Sequence, residues 1–215
     1  MKKFLIITVL SLLIVFIGLS RVYAIGLGPY IESGSGSGNW ETMTDDFDYS
    51  TSVDTSSFGF GFVLDTSPRD SKVFNYRLNI GYEKHDIELP VGGTIELNGL
   101  SIDNTFGFSI VRKKNIRLWL GPQIRLGYYT GNEEYSSNYS ADYTLFAFGL
   151  GPVLGVNFGM GSVGVISISR GYRFLGYAGT EDYTIDSIYV PEDGTNDITI
   201  AGGMGFLNAS FLFGR

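Results

Sequence analysis

Few side chains in this sequence could do acid–base chemistry. The only histidine, His85, is followed by Asp86, and there is no cysteine. A histidine beside a carboxylate can serve as a general base. Here it opens a polar segment, with no serine placed near it, so it reads as a solvated loop histidine. One histidine excludes a multi-histidine metal site, and the lack of cysteine excludes disulfides, thiolate ligands and thiol nucleophiles. Asp182, Asp186, Glu192 and Asp193 stand close together but lack the regular spacing of a calcium loop. Plain solvation and weak capture of divalent cations both account for them. Asn138-Tyr139-Ser140 fits a glycosylation sequon, read here as unused. No catalytic residue, cofactor or resident metal site is expected, and the chain is not read as an enzyme.

The other chemistry is ion pairing. Glu32, Arg77, Glu83, Asp103, Arg117, Arg125 and Arg173 lie far apart along the chain. They can meet only if the intervening elements bring them together.

Those elements repeat with period two, the mark of strands. Phe74, Tyr76, Leu78, Ile80 and Tyr82 alternate with Asn75, Arg77, Asn79, Gly81 and Glu83. Similar alternation runs through 58–65, 100–110, 116–129 and 146–158. We read eight strands, at about 25–36, 56–65, 73–84, 97–111, 116–130, 142–158, 162–175 and 197–213. Most exceed the ~5–6 residues usual in soluble proteins and reach the ~9–11 that cross a bilayer at a tilt. Segments 66–72, 112–115 and 159–161 are short turns, whereas 37–55, 85–96, 131–141 and 176–196 are long and polar. Short turns at one end and long connections at the other are the plan of a transmembrane antiparallel barrel, whose closure pairs every backbone group.

Size decides which face points inward. Eight strands enclose a narrow interior, which stacked Phe, Tyr, Leu and Ile would overfill. The glycine-rich, charged face fits there. The seven charged residues above then project inward, either lining a pore or forming a closing salt-bridge network, and the narrow lumen favours closure.

Lys2 and Lys3, the apolar run 4–19 and Val22-Tyr23-Ala24 predict an export signal over 1–24, cut after Ala24. Residues 25–215 then form the barrel domain, with 22 acids against 12 bases and a net charge of −10. Such a balance argues against a nucleic-acid partner. The stretches 37–57, 85–96, 131–142 and 176–197 hold seventeen of the twenty-two acids and no lysine or arginine, while Arg112, Lys113 and Lys114 occupy a short turn. Exposed loops need charge for solubility, which explains its amount but not its sorting by sign.

With Asn104-Thr105-Phe106-Gly107-Phe108, Leu-Gly-Pro at 27–29, 120–122 and 150–152, and the late Phe211-Leu212-Phe213, residues 25–215 resemble the small outer-membrane β-barrels, the group with OmpA-, OmpX- and opacity-type members. The resemblance implies an eight-stranded antiparallel transmembrane barrel in the cell outer membrane. It implies outer-membrane lipid and lipopolysaccharide around the chain, and a barrel-assembly machinery that reads a terminal aromatic residue. Here Gly214 and Arg215 follow Phe213. Both termini would be periplasmic and the long segments extracellular. The leading function is a non-enzymatic barrel displaying acidic surface loops, for envelope structure, surface contact or adhesion. The alternatives are a narrow channel for small solutes, a lipid-modifying barrel enzyme and a soluble carrier.

Three finer expectations follow. Proline cannot donate to a ladder, so Pro122 and Pro152 should mark bulges. Arg170 should face outward near the outer interface. A three-residue turn at 113–115 would place Asp103 directly across from Arg125.

Overall fold

The computed structural model describes residues 25–43, 48–69, 72–90, 93–136, 139–185 and 192–213. The expected export signal at 1–24 lies outside the described residues. Eight strands follow in chain order: β1 (Gly26–Met43), β2 (Asp48–Asp65), β3 (Phe74–Glu88), β4 (Thr94–Lys113), β5 (Ile116–Ser136), β6 (Tyr139–Gly159), β7 (Val165–Ile185) and β8 (Glu192–Leu212). Each pairs antiparallel with the next, and β1 pairs with β8 from Tyr30↔Ser210 to Met43↔Asp197, so the sheet closes into a barrel.

The strands reach much further than the sequence reading allowed. The four segments taken as long loops are mostly strand, and only 44–47, 89–93, 137–138 and 186–191 lie between strands at that end. The alternation continues through these segments with its polarity reversed, so they look like solvated loops. On β6, Phe146, Phe148, Leu150, Leu154 and Phe158 face outward and Gly149, Gly151, Gly155 and Asn157 face inward. Toward the open end of the same strand, Ser140 and Asp142 face out, while Ala141, Tyr143 and Leu145 are buried inside.

The barrel therefore has two storeys. The lower one has an apolar outside and a polar inside. Its outer belt rises from Leu27, Leu120, Phe158 and Phe213 to Ile31, Phe58, Tyr82, Leu100, Tyr128, Phe146 and Phe174. Residues 146–158 of β6 would climb roughly 30 Å at ~3.3 Å per residue and a ~40° tilt, close to the ~25 Å apolar band of such barrels. The upper storey has the polarity of a soluble barrel. Val53, Ile87, Leu97, Leu145, Ile198 and Ile200 belong to one interior apolar cluster, and Ser52, Asp54, Glu96, Asn132 and Asp197 are on the outside. The expectation of a lumen filled by glycine, small residues and charge thus fits only the lower storey.

Local details follow from backbone chemistry. There is no register shift at either proline. Pro122 and Pro152 face each other across β5 and β6. The ladder is interrupted instead on their other sides, between Thr105↔Gln123 and Phe108↔Leu120 and between Leu150↔Phe174 and Val153↔Gly171. An antiparallel residue directs its N–H to one neighbour only, so each missing donor costs a rung and leaves the register intact. The shifts occur between Ser109 and Val111 and between Glu134 and Ser136. The first makes the β4–β5 turn two residues long, with Lys113 paired to Ile116, rather than three. Gly155 is required by packing, because a β-carbon there would collide with the Trp119 indole inside the barrel. The polar Asn104 on the belt accepts a hydrogen bond from the Tyr76 hydroxyl. Arg170 is exposed between Ile168 and Tyr172.

The two storeys predict opposite tolerances on adjacent residues. Leu145→Ala, inside the upper storey, should cost about 2–5 kcal/mol, whereas Thr144→Asp, on its outer face, should stay within about 0.5 kcal/mol. Urea unfolding of the detergent-solubilised barrel measures both.

Candidate functional site

The lower storey positions its charged side chains by parity. In a strand, residues two apart share a face, so Glu83 and Arg77 of β3 point inward together, as do Arg117 and Arg125 of β5. At the level of Asp103, β4 meets β5 with Asp103 opposite Arg125. The guanidinium donates Nε–H to Asp103 Oδ1 at 2.6 Å and Nη2–H to Oδ2 at 2.7 Å, a two-point fork. Nη1 donates to both Glu83 oxygens, at 2.9 and 2.8 Å. Nη2 also donates to Glu32 Oε1 at 2.8 Å. Five donors of one guanidinium thus meet three carboxylates from three other strands.

Arg173 of β7 completes the cluster. Its Nη1 donates to Glu32 Oε1 at 2.7 Å and its Nε to Gln123 Oε1 at 2.6 Å, and Nη2 lies 3.5 Å from Asp103 Oδ2. Its guanidinium carbon sits 3.5 Å from the Phe206 ring centroid, where the ring face attracts the cation. Asn208 donates to the second Glu32 oxygen at 3.1 Å and the Tyr129 hydroxyl to Glu83 Oε2 at 3.0 Å. Exposure across the cluster runs from 0% at Arg173 to 3% at Glu32, so solvent does not reach these charges.

Arg77 and Arg117 are not brought into this cluster. They form a layer nearer the short-turn end. Arg77 donates to Ser167 and Ser210, at 2.9 and 2.7 Å, and its guanidinium lies 5.5 Å from the Trp119 ring centroid. Arg117 bonds Ser109, Asn75 and the Lys72 carbonyl. Asp65 is buried in the same layer, accepting from Ser67 N and Asn75. Below it the turn after β2 tucks in: the Pro68 carbonyl accepts from Asn157 at 3.0 Å, and Arg69 donates to the Gly164 carbonyl at 2.9 Å. Across both layers, Arg77, Arg117, Arg125 and Arg173 face Glu32, Asp65, Glu83 and Asp103, so the guanidinium and carboxylate charges balance.

His85 is not a loop residue. It lies on β3 with 1% exposure, where the polar cluster meets the apolar storey. Nε2 is 3.3 Å from Glu83 Oε1 and Nδ1 is 3.3 Å from the Tyr177 hydroxyl, and Tyr129 stacks edge-on at 4.8 Å. The sequence reading ended this strand at residue 84 and so missed it, although His85 shares inward parity with Glu83. Gln123, Tyr129 and Asn208 were missed as partners for a different reason: parity shows that a side chain points inward, but not which others it meets across the lumen. Of the four clustered acids, Asp182 and Asp193 are exposed on β7 and β8, with Asp182 accepting from Thr195 Oγ1 at 2.6 Å. Asp186 lies outside the described residues. Among the described residues no three His, Cys, Asp or Glu side chains converge as a metal-holding group.

The sequence matches no protein-family model and no curated protein. Among solved structures, the outer membrane protein OprG from Pseudomonas aeruginosa is 10% identical, covering 87% of this chain and 97% of its own, with a TM-score of 0.55. Neisserial surface protein A is 11% identical over 82% of this chain and 95% of its own, at 0.32, and the Yersinia pestis attachment invasion locus protein Ail is 13% identical over 86% and 99%, at 0.28. The OprG likeness shows a shared fold, that of an outer-membrane β-barrel.

Removing one side of a buried ion cluster leaves the rest uncompensated. Asp103→Ala and Arg125→Ala should each destabilise by about 3–5 kcal/mol, and the double substitution by less than their sum. Denaturant unfolding of all four forms measures the coupling; strict additivity would show that the two charges do not interact.

Proposed function

We propose that this chain is a closed, non-enzymatic barrel of the bacterial outer membrane that works through the surface of its upper storey. The observation that carries the reading is the Arg125 cluster, whose buried charges from five strands meet across the lumen with 0–3% exposure, which supports closure at that level. The apolar upper interior and the tucked turn after β2 support closure at two further levels. A solute channel would need these groups to part, and a charged solute would have to replace hydrogen bonds at Arg125 and Arg173.

The apolar belt supports placement in a bilayer, and the fold shared with OprG supports the outer membrane. Export by residues 1–24 fits both. The sorting of charge favours an orientation with both termini in the periplasm. The basic turn of Arg112, Lys113 and Lys114 then faces inward, and the acidic upper storey stands clear of the membrane. Outer-membrane lipid and lipopolysaccharide would surround the belt, and a barrel-assembly machinery would insert it. On this reading the upper storey is a rigid acidic pedestal for envelope structure or surface contact. His85 serves the lumen rather than a reaction, its ring being shut away from solvent by Tyr129 and Tyr177.

Planar-bilayer recording tests closure. The native barrel should add no steady conductance to a bare bilayer, and paired removal of Arg125 and Arg173 should produce leak. Stable ohmic openings of the native protein would overturn the reading. On intact cells, a protease that cuts after acidic residues should cleave within 186–193; cleavage only after the outer membrane is permeabilised would reverse the orientation.

A further inference from the structure

Among the described residues, the upper storey is not filled to its mouth. Above the interior apolar cluster lies an open cavity of about 230 Å³. Trp40, Leu89, Pro90 and Ile95 form apolar walls. Tyr143 stands edge-on to Trp40, with ring centroids 5.9 Å apart. Glu133 and Glu181, from β5 and β7, line its polar side with Thr42, Thr51 and Tyr139.

The polar side of this cavity is short of positive charge. The Tyr143 hydroxyl lies 3.2 Å from Glu133 Oε2 and 3.1 Å from Glu181 Oε1. One phenolic proton cannot serve both carboxylates at once. Tyr139 and Asn196 also donate to Glu181, at 2.9 and 3.0 Å, but bring no charge. Glu181 is 8% exposed, a costly place for an anion without a counter-ion. The sequence supplies none: no lysine or arginine occurs in 33–68, 85–111, 126–169 or 174–214. Lys84, a cation near this level, is engaged on the outer face with Asp86 and Glu96. Burial raises the Glu133 carboxyl above its ordinary range, the Tyr143 hydrogen bond offsets part of this, and the Glu181 charge adds to it.

We propose that this mouth cavity binds an organic ammonium ion: a protonated primary amine carrying a compact apolar or aromatic body. The ammonium offers three N–H donors to a carboxylate pair whose hydrogen-bond partners are all neutral, and supplies the missing charge. Trp40 and Tyr143 line the cavity and give aromatic contact to the ammonium's apolar body. A hydrated metal ion suits the site less, because hard divalent cations want six or more oxygen ligands and most of this wall is apolar. The cavity lies below the ~300–1,000 Å³ of drug-sized sites, so the body must be small. The inference goes beyond the closed-barrel reading and depends neither on closure nor on orientation, so each can fail without the other.

The test is isothermal titration of the folded, detergent-solubilised full barrel at neutral pH with phenethylammonium, against 2-phenylethanol as its neutral counterpart. The amine should bind at least tenfold more tightly than the alcohol. Glu181→Gln and Glu133→Gln, which keep the shape, remove the charge and exchange one acceptor oxygen for an NH2 donor, should each weaken the amine about tenfold and leave the alcohol unchanged. Trp40→Ala should weaken both. Unheated gel migration confirms that each variant is folded. Equal binding of amine and alcohol, no binding of the amine at millimolar concentration, or full affinity in both folded glutamine variants would overturn the assignment.

Discussion

The lower storey depends on one side chain being held by three others. Glu32, Glu83 and Asp103 converge at mid-lumen from β1, β3 and β4, where without compensation they would repel one another in a poorly solvated space. Arg125 makes the convergence possible, because a planar guanidinium presents five donors in fixed directions. Lysine has three donors on a flexible stem and cannot span the same set. Arg173 then ties β7 to β1 through Glu32, so the cluster spans the barrel as well as filling it. Its buried ions need not add stability over a well-packed apolar core. They do fix which strands face one another, and they give the lower lumen a polar filling while the apolar side chains of the same strands face outward.

The second constraint is the reversal of polarity along single strands. A period of two sets which residues share a face, but not whether the apolar face points in or out. On β6 the exchange takes place around Leu145 and Phe146, the first buried within and the second 64% exposed outside. Bringing it to about one level on all eight strands divides a continuous sheet into a belt suited to hydrocarbon and a storey suited to water. His85, Tyr129 and Tyr177 occupy the boundary inside. Tyr129 and His85 meet Glu83 of the ion cluster, and Tyr177 meets His85, while the Tyr129 and Tyr177 rings join the apolar cluster, which is the role amphipathic rings serve wherever two media meet.

Much of the lower storey is legible in the sequence. Long apolar side chains alternating with glycine and charge give strand, face and the direction of Arg77, Glu83 and Arg125. The Asp103–Arg125 alignment needs only the β4–β5 register. It survives an incorrect turn because the shift between Ser109 and Val111 makes up the difference. The upper storey is hidden by its composition. Ser33-Gly34-Ser35-Gly36-Ser37-Gly38 reads as a flexible linker, yet within β1 the serines are exposed and the glycines face the interior. Residues 85–88 belong to β3 but share this polar, loop-like composition, which makes His85 look solvated in the sequence. The Arg173–Glu32 contact joins residues 141 apart and requires closure of β8 on β1, which no local pattern encodes. At the prolines, the missing donor was expected to break the register, but the direction of each N–H confines the loss to one ladder.

If the lumen is shut between its ion cluster and its apolar storey, solvent cannot reach the wall between them. Ser101 lies in that zone, 2% exposed and opposite Gly127, and the chain has no cysteine of its own. Ser101→Cys and, as an exposed control on the outer face, Ser52→Cys can be treated with a charged, membrane-impermeant thiol reagent in the folded barrel. A closed lumen predicts that Ser52→Cys is modified at once, and that Ser101→Cys stays unmodified until the barrel is unfolded. Modification of folded Ser101→Cys at a rate near that of Ser52→Cys would mean that water and ions pass the cluster, contradicting the closed barrel.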